Sequence, residues 1–143
     1  MAGIVNRKTI KIHEAEVTVR NSTAWTVTDA ETVQRKLILA LGKDVDENGI
    51  TYRRVTDIQG ARLGLFVLML CNTEEVRGDL GFDWPLPSAS ADELIRAFNE
   101  VGDCLTGDEI DRWQKALREV DTPPGDPDLF PSADPEAVGQ KRK

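Results

Sequence analysis

Between Thr56 and Cys71 the chain reads TDIQGARLGLFVLMLC, and from Leu65 to Cys71 it carries no polar side chain. Burying each Leu or Phe of such a run contributes about 1.5–3 kcal/mol, so the stretch must be covered by the rest of the protein. It is too short to cross a bilayer, which takes about 20 apolar residues, and Arg62 interrupts its approach. Period alone fits a buried strand over Leu65 to Cys71 as well as a helix. Leu and Met outnumber the β-branched residues, and Thr56 with Gln59 has the spacing of a helix cap, so the expectation is a core helix over 56–71. Gly60 and Gly64 at GxxxG spacing predict a face that lets another helix of the same domain approach closely.

The segments around this hub each offer one apolar face. From Thr9 to Arg20, Ile10, Ile12, Val17 and Val19 alternate with polar residues, which is strand periodicity. A hairpin bending near Glu14 and Ala15 fits, and so does one long strand, because that pair lacks a tight-turn residue. Trp25 and Val27 fit either a continuing strand or a helical entry. Thr28 with Glu31 predicts a capped helix over 29–41, with Ala30, Val33, Leu37 and Leu41 on one face and Gly42 as its stop. Ser90 with Glu93 opens a helix over 91–101 ending at Gly102, and Thr106 with Glu109 opens one over 107–120. Acidic residues at the start of these helices complement the helix dipole and do not form a catalytic carboxylate pair.

Two segments read as irregular. Asp44 to Gly49 has the first half of a calcium loop, but Val55 stands where the bidentate Glu belongs, and Arg53 and Arg54 would repel the ion. The expectation there is a solvated turn between helices, with Asn48-Gly49 taking positive backbone angles. Residues 72–89 show four turn formers and no sustained period, which predicts a long loop. Phe82, Trp84 and Leu86 in that loop must either fold back over the core or face a partner. Residues 121–143 hold five of the seven prolines and read as a disordered acidic tail, in which Leu129 and Phe130 form an isolated apolar pair. The expected architecture is mainly α with a small N-terminal β hairpin: one domain over 1–120, a four-helix body around 56–71, and the tail.

Chemistry is constrained by what these residues cannot do. A net charge of −7 disfavours a nucleic acid or an anionic membrane surface as partner. The single histidine, His13, has no sequence neighbour spaced to orient it, so a serine or cysteine hydrolase has no base. Cys71 and Cys104 lie in apolar or helical contexts and read as reduced core thiols of a cytosolic protein. No phosphate loop and no zinc cage can be composed, so no cofactor and no metal is expected.

The layout, a β segment ending VTVR, a capped helix, a turn, an apolar helix, a loop, two amphipathic helices and a Pro-rich acidic tail, resembles the tail assembly chaperones of long-tailed bacteriophages. The resemblance is one of order and length over residues 9–120 and rests on no motif, so it transfers no functional residue. It implies a non-enzymatic role in the host cytoplasm: binding and solubilising the tape measure protein and helping to recruit tail tube protein, with a homo-oligomer compatible. The runner-up is a generic adaptor or a structural virion component such as a head–tail connector. Phe82, Trp84, Leu86, Leu129 and Phe130 are the candidate partner-binding residues.

Overall fold

A computed structural model describes residues 6–121, so Leu129, Phe130 and the expected tail after its first residue, Asp121, lie outside the described residues. The fold is α+β, with four helices and two small sheets among the described residues. Strands β1 (Arg7–Ile12) and β2 (Glu14–Arg20) form the N-terminal hairpin, and helix α1 spans Ala24–Leu41. Strands β3 (Lys43–Glu47) and β4 (Ile50–Arg54) form a second hairpin, which leads into α2 (Asp57–Cys71). Strand β5 (Thr73–Asp79) precedes α3 (Ala91–Cys104) and α4 (Gly107–Asp121).

The N-terminal hairpin turns on His13, one residue earlier than the sequence suggested. Its φ of 54° supplies the reversal that a Gly or Asn would normally make. Pairing runs from Arg7 opposite Arg20 to Ile12 opposite Ala15. Alternation then buries Ile12, Ala15, Val17 and Val19 on one face, as the period-two pattern requires.

Helix α1 starts earlier than expected. Its N-cap is Thr23, whose side chain accepts from the Thr26 backbone, while the Thr26 hydroxyl takes the Thr23 backbone N–H at 2.7 Å. Thr28 lies inside the helix and returns its hydroxyl to the Ala24 carbonyl at 2.9 Å. Trp25 and Val27 are therefore helical. The expected caps of α2, α3 and α4 are present: Thr56 to Gln59, Ser90 with Glu93, and Thr106 with Glu109. Gly102 does not stop α3, which continues to Cys104.

Two expected irregular segments are strands. Residues 43–54 form a hairpin whose two-residue turn, Asn48 and Gly49, has φ of 54° and 79°, the positive pair that hairpin turns favour. Residues 73–79 add a third strand to the N-terminal sheet, giving the order β1-β2-β5 with every pair antiparallel. The β2–β5 register shifts beside Thr18 and Val19. At Gly78, where φ is 100°, a side chain would meet the Glu14 carbonyl oxygen, so glycine is required for the strand to close on β2.

Helix α4 packs on β1 and β2, while α2 packs against α1, α3, α4 and β5, which makes it the hub of the core. Its buried residues are Leu63, Phe66, Val67, Met69, Leu70 and Cys71. Phe66 meets Phe98 edge-on at 5.7 Å and Trp84 at 5.9 Å, and Trp84 lies 4.9 Å from the fully buried Trp113. The GxxxG expectation fails: among the described residues a side chain at Gly60 would meet within 4 Å only Val55 of the approaching loop, and one at Gly64 would meet nothing.

Candidate functional site

Helix α2 is apolar on nearly every side, yet it is not covered on every side. At 100° per residue, Ile58, Ala61, Leu65 and Leu68 recur at i, i+3, i+7 and i+10 and form one stripe opposite the buried face. Ile58 is 67% exposed and Leu68 40%, Ala61 is exposed, and Leu65 is half-buried. Arg62 lies beside the stripe. Beyond Leu65 the surface dips into a cleft of about 400 Å³ between α2, α3 and the start of α4, with Phe66, Phe98, Val101 and Ile110 in its walls.

Further apolar side chains are exposed on α1. Trp25 is 79% exposed and Val27 51%. Asn72 donates to the Ser22 hydroxyl at 3.3 Å, which brings the start of α1 to the end of α2 and sets Trp25 at the same end of the helix pair as Leu68.

The loop residues singled out from sequence separate. Phe82 and Trp84 are half-buried and fold back over the core, their rings 6.2 Å apart. The Trp84 indole N–H is buried with no protein acceptor among the described residues. Leu86 is 71% exposed and borders a depression formed with Asp29, Thr32 and Lys36 of α1. The structure therefore leaves Leu86 on the surface and takes Phe82 and Trp84 largely out of it. The α2 stripe is the element that sequence reasoning missed, because an all-apolar helix reads as wholly buried. Its spacing of 58, 61, 65 and 68 was the available signal.

His13 is better oriented than its sequence context suggested. Its Nδ1 faces the Leu80 carbonyl oxygen at 2.8 Å, and its Nε2 faces the Glu109 carboxylate at 2.9 Å. The Thr106 backbone N–H donates to Glu109 at 2.8 Å and, with His13, holds the Glu109 carboxyl below the usual carboxylate range. Nδ1 thus ties the β1–β2 turn to the end of β5 and Nε2 clasps it to the start of α4, and among the described residues neither nitrogen is paired with a hydroxyl or a thiol that it could activate.

Both cysteines are free; Cys71 is buried and Cys104 half-buried. Burial, with the Asp29 carboxylate second, pushes the Cys71 thiol up to about 11, so it has little thiolate character at neutral pH. Among the described residues, no three His, Cys, Asp or Glu side chains gather in a way that could hold a metal ion, and no helix is long and apolar enough to cross a membrane. No protein-family model matches the chain, and no curated protein or solved structure matches it.

Proposed function

We propose that this chain is a non-enzymatic protein-binding chaperone of phage tail assembly. In this reading it holds an apolar helical stretch of the tape measure protein on the outer face of α2, keeps that partner soluble in the host cytoplasm, and helps recruit tail tube subunits around it. One observation carries the reading: the stripe Ile58, Ala61, Leu65 and Leu68 has the alternating three- and four-residue spacing with which one helix seats against another, and it opens into a cleft whose apolar walls, Phe66, Phe98, Val101 and Ile110, are rimmed by Arg62, Asn99 and Asp103. A partner helix with apolar residues at the same spacing would bury Ile58 and Leu68 and place one side chain between Leu65, Phe98 and Ile110. The acidic balance of the chain would keep such a complex soluble.

The test is co-expression with a long helical tape measure protein. A soluble complex that forms with the parent chain and is lost with Ile58→Glu and Leu68→Glu together supports the reading, provided that the double variant keeps the parent's circular dichroism. A tape measure protein that stays insoluble with the parent chain refutes it. Recovery of the chain in finished particles would replace the chaperone by the structural virion alternative.

A further inference from the structure

We propose that the free edge of β5 pairs with the β5 of a second copy of this chain, about a two-fold axis through Val76, so that the two three-stranded sheets become one six-stranded antiparallel sheet. This surface is separate from the outer face of α2, and the inference does not rest on the functional reading above.

Among the described residues β5 has β2 on one side and no strand on the other, and Glu74, Glu75, Arg77, Gly78 and Asp79 are all exposed. Such an edge presents unpaired backbone donors and acceptors. Val76 stands opposite the buried Val17 and packs against the core, so it points to the core side of the sheet. Glu75 and Arg77, its neighbours in a pleated strand, point to the solvent side.

Within the regular part of the edge, Glu75 to Arg77, parity and charge then select one register. If the two sheets are continuous, paired residues must point to the same face, so the two-fold axis has to pass through a residue and not between two residues. An axis through Glu75 sets that carboxylate against itself. An axis through Arg77 sets two guanidinium groups together and brings Glu75 against Asp79 of the other copy. The axis through Val76 sets Glu75 opposite Arg77 of the second copy twice, with valine on valine on the core side. It sets no like charges directly opposite each other, and like charges so placed are destabilising.

The solvent face is already patterned for this arrangement. Lys11 pairs with Glu16 across β1–β2, and Glu16 with Arg77 across β2–β5, a row of alternating sign that ends on a cation at the open edge. Glu75 of the second copy continues the alternation. In the single chain Arg77 reaches Glu75 of its own strand at 3.1 Å and Glu16 at 3.7 Å, so the guanidinium is already aimed along this face. The register shift near Thr18 and the positive φ of Gly78 confine the regular part of the edge to a few residues around Val76. The contact is therefore small, and the dimer should be concentration-dependent and weakened by salt.

Sedimentation of the full chain from about 1 to 500 μM tests the proposal. The expected mass rises from 15.9 kDa towards twice that value and falls back in high salt. Glu75→Arg and Arg77→Glu each place like charges across the two-fold axis, so each variant alone should stay monomeric where the parent is dimeric. Mixed in equal amounts they should pair with each other, because Arg on one copy then faces Glu on the other at both positions. A parent that stays at 15.9 kDa throughout, single variants that dimerise as the parent does, or a mixture that remains monomeric overturns the pairing. Both side chains are exposed, so each variant should melt like the parent; loss of the fold would contradict their placement on the solvent face and overturn the proposal as well.

Discussion

Replacing Trp113 by Phe tests how the sheet is tied to the helices. Trp113 is fully buried, its ring lies 4.9 Å from that of Trp84, and its Nε1–H donates to the Thr73 hydroxyl at 3.1 Å. Truncating a buried aromatic to Ala costs about 3–5 kcal/mol, so losing only the outer part of the indole should cost on the order of 1–2 kcal/mol. Losing the hydrogen bond adds about 1 kcal/mol. The sum is about 2–3 kcal/mol, which lowers the melting temperature of a domain of this size by roughly 10 °C. Urea titrations followed by circular dichroism would measure it. Thr73→Val and the double variant complete a thermodynamic cycle whose coupling should be about 1 kcal/mol, since the two changes remove the same bond. Strictly additive costs, or a Trp113→Phe loss below about 0.5 kcal/mol, would refute the idea that this bond joins α4 to the start of β5.

Two further outcomes follow from the caps and the clasp. Thr23→Ala should destabilise the protein by about 1 kcal/mol, and Thr28→Ala by clearly less, because only Thr23 caps α1; equal effects in thermal melts would place the helix start elsewhere. Glu109 has its carboxyl held low by the Thr106 backbone N–H and by His13, so its contribution is complete above the unfolded carboxyl range near about pH 4.3 and is lost as pH falls through the lower folded value. The stability gap between the parent and Glu109→Gln should therefore be constant from about pH 5 to 6 and close in stronger acid. A gap that persists undiminished at about pH 2 would sink the assignment.

Legibility followed how local each signal was. The caps of α2, α3 and α4 could be read because Thr or Ser and its partner stand three residues apart and need nothing else. At α1 the same rule misled: Thr28 and Glu31 have the spacing, but the working pair is Thr23 with Thr26, two hydroxyls that the usual pattern does not include. β5 was illegible because TEEVRGD contains one large apolar residue; the strand exists because β2, some 60 residues earlier, offers it an edge. The β3–β4 hairpin buries neither face, so no period marks it, and only Asn48-Gly49 signalled a turn. At the candidate site, sequence identified Leu86 but not the outer face of α2, since apolarity without a polar side gives no direction. Which face stays bare depends on where α1, α3 and α4 come to rest.

The late arrival of β5 also has a consequence in time. The β1–β2 hairpin is marginal alone, as two-stranded ribbons are, and both its third strand and the α4 face that covers it lie far downstream. At about 5–20 residues per second, the ribosome needs several seconds to deliver the roughly 60 residues between Arg20 and Asp79, and longer to reach Asp121. During that interval Ile12, Val17 and Val19 have no lasting cover, and α1, which is complete sooner, has only its own Val33 and Leu37 to shelter. The nascent chain thus passes through a stage with two uncovered apolar surfaces, and its high contact separation predicts slower folding than its helix content alone would suggest.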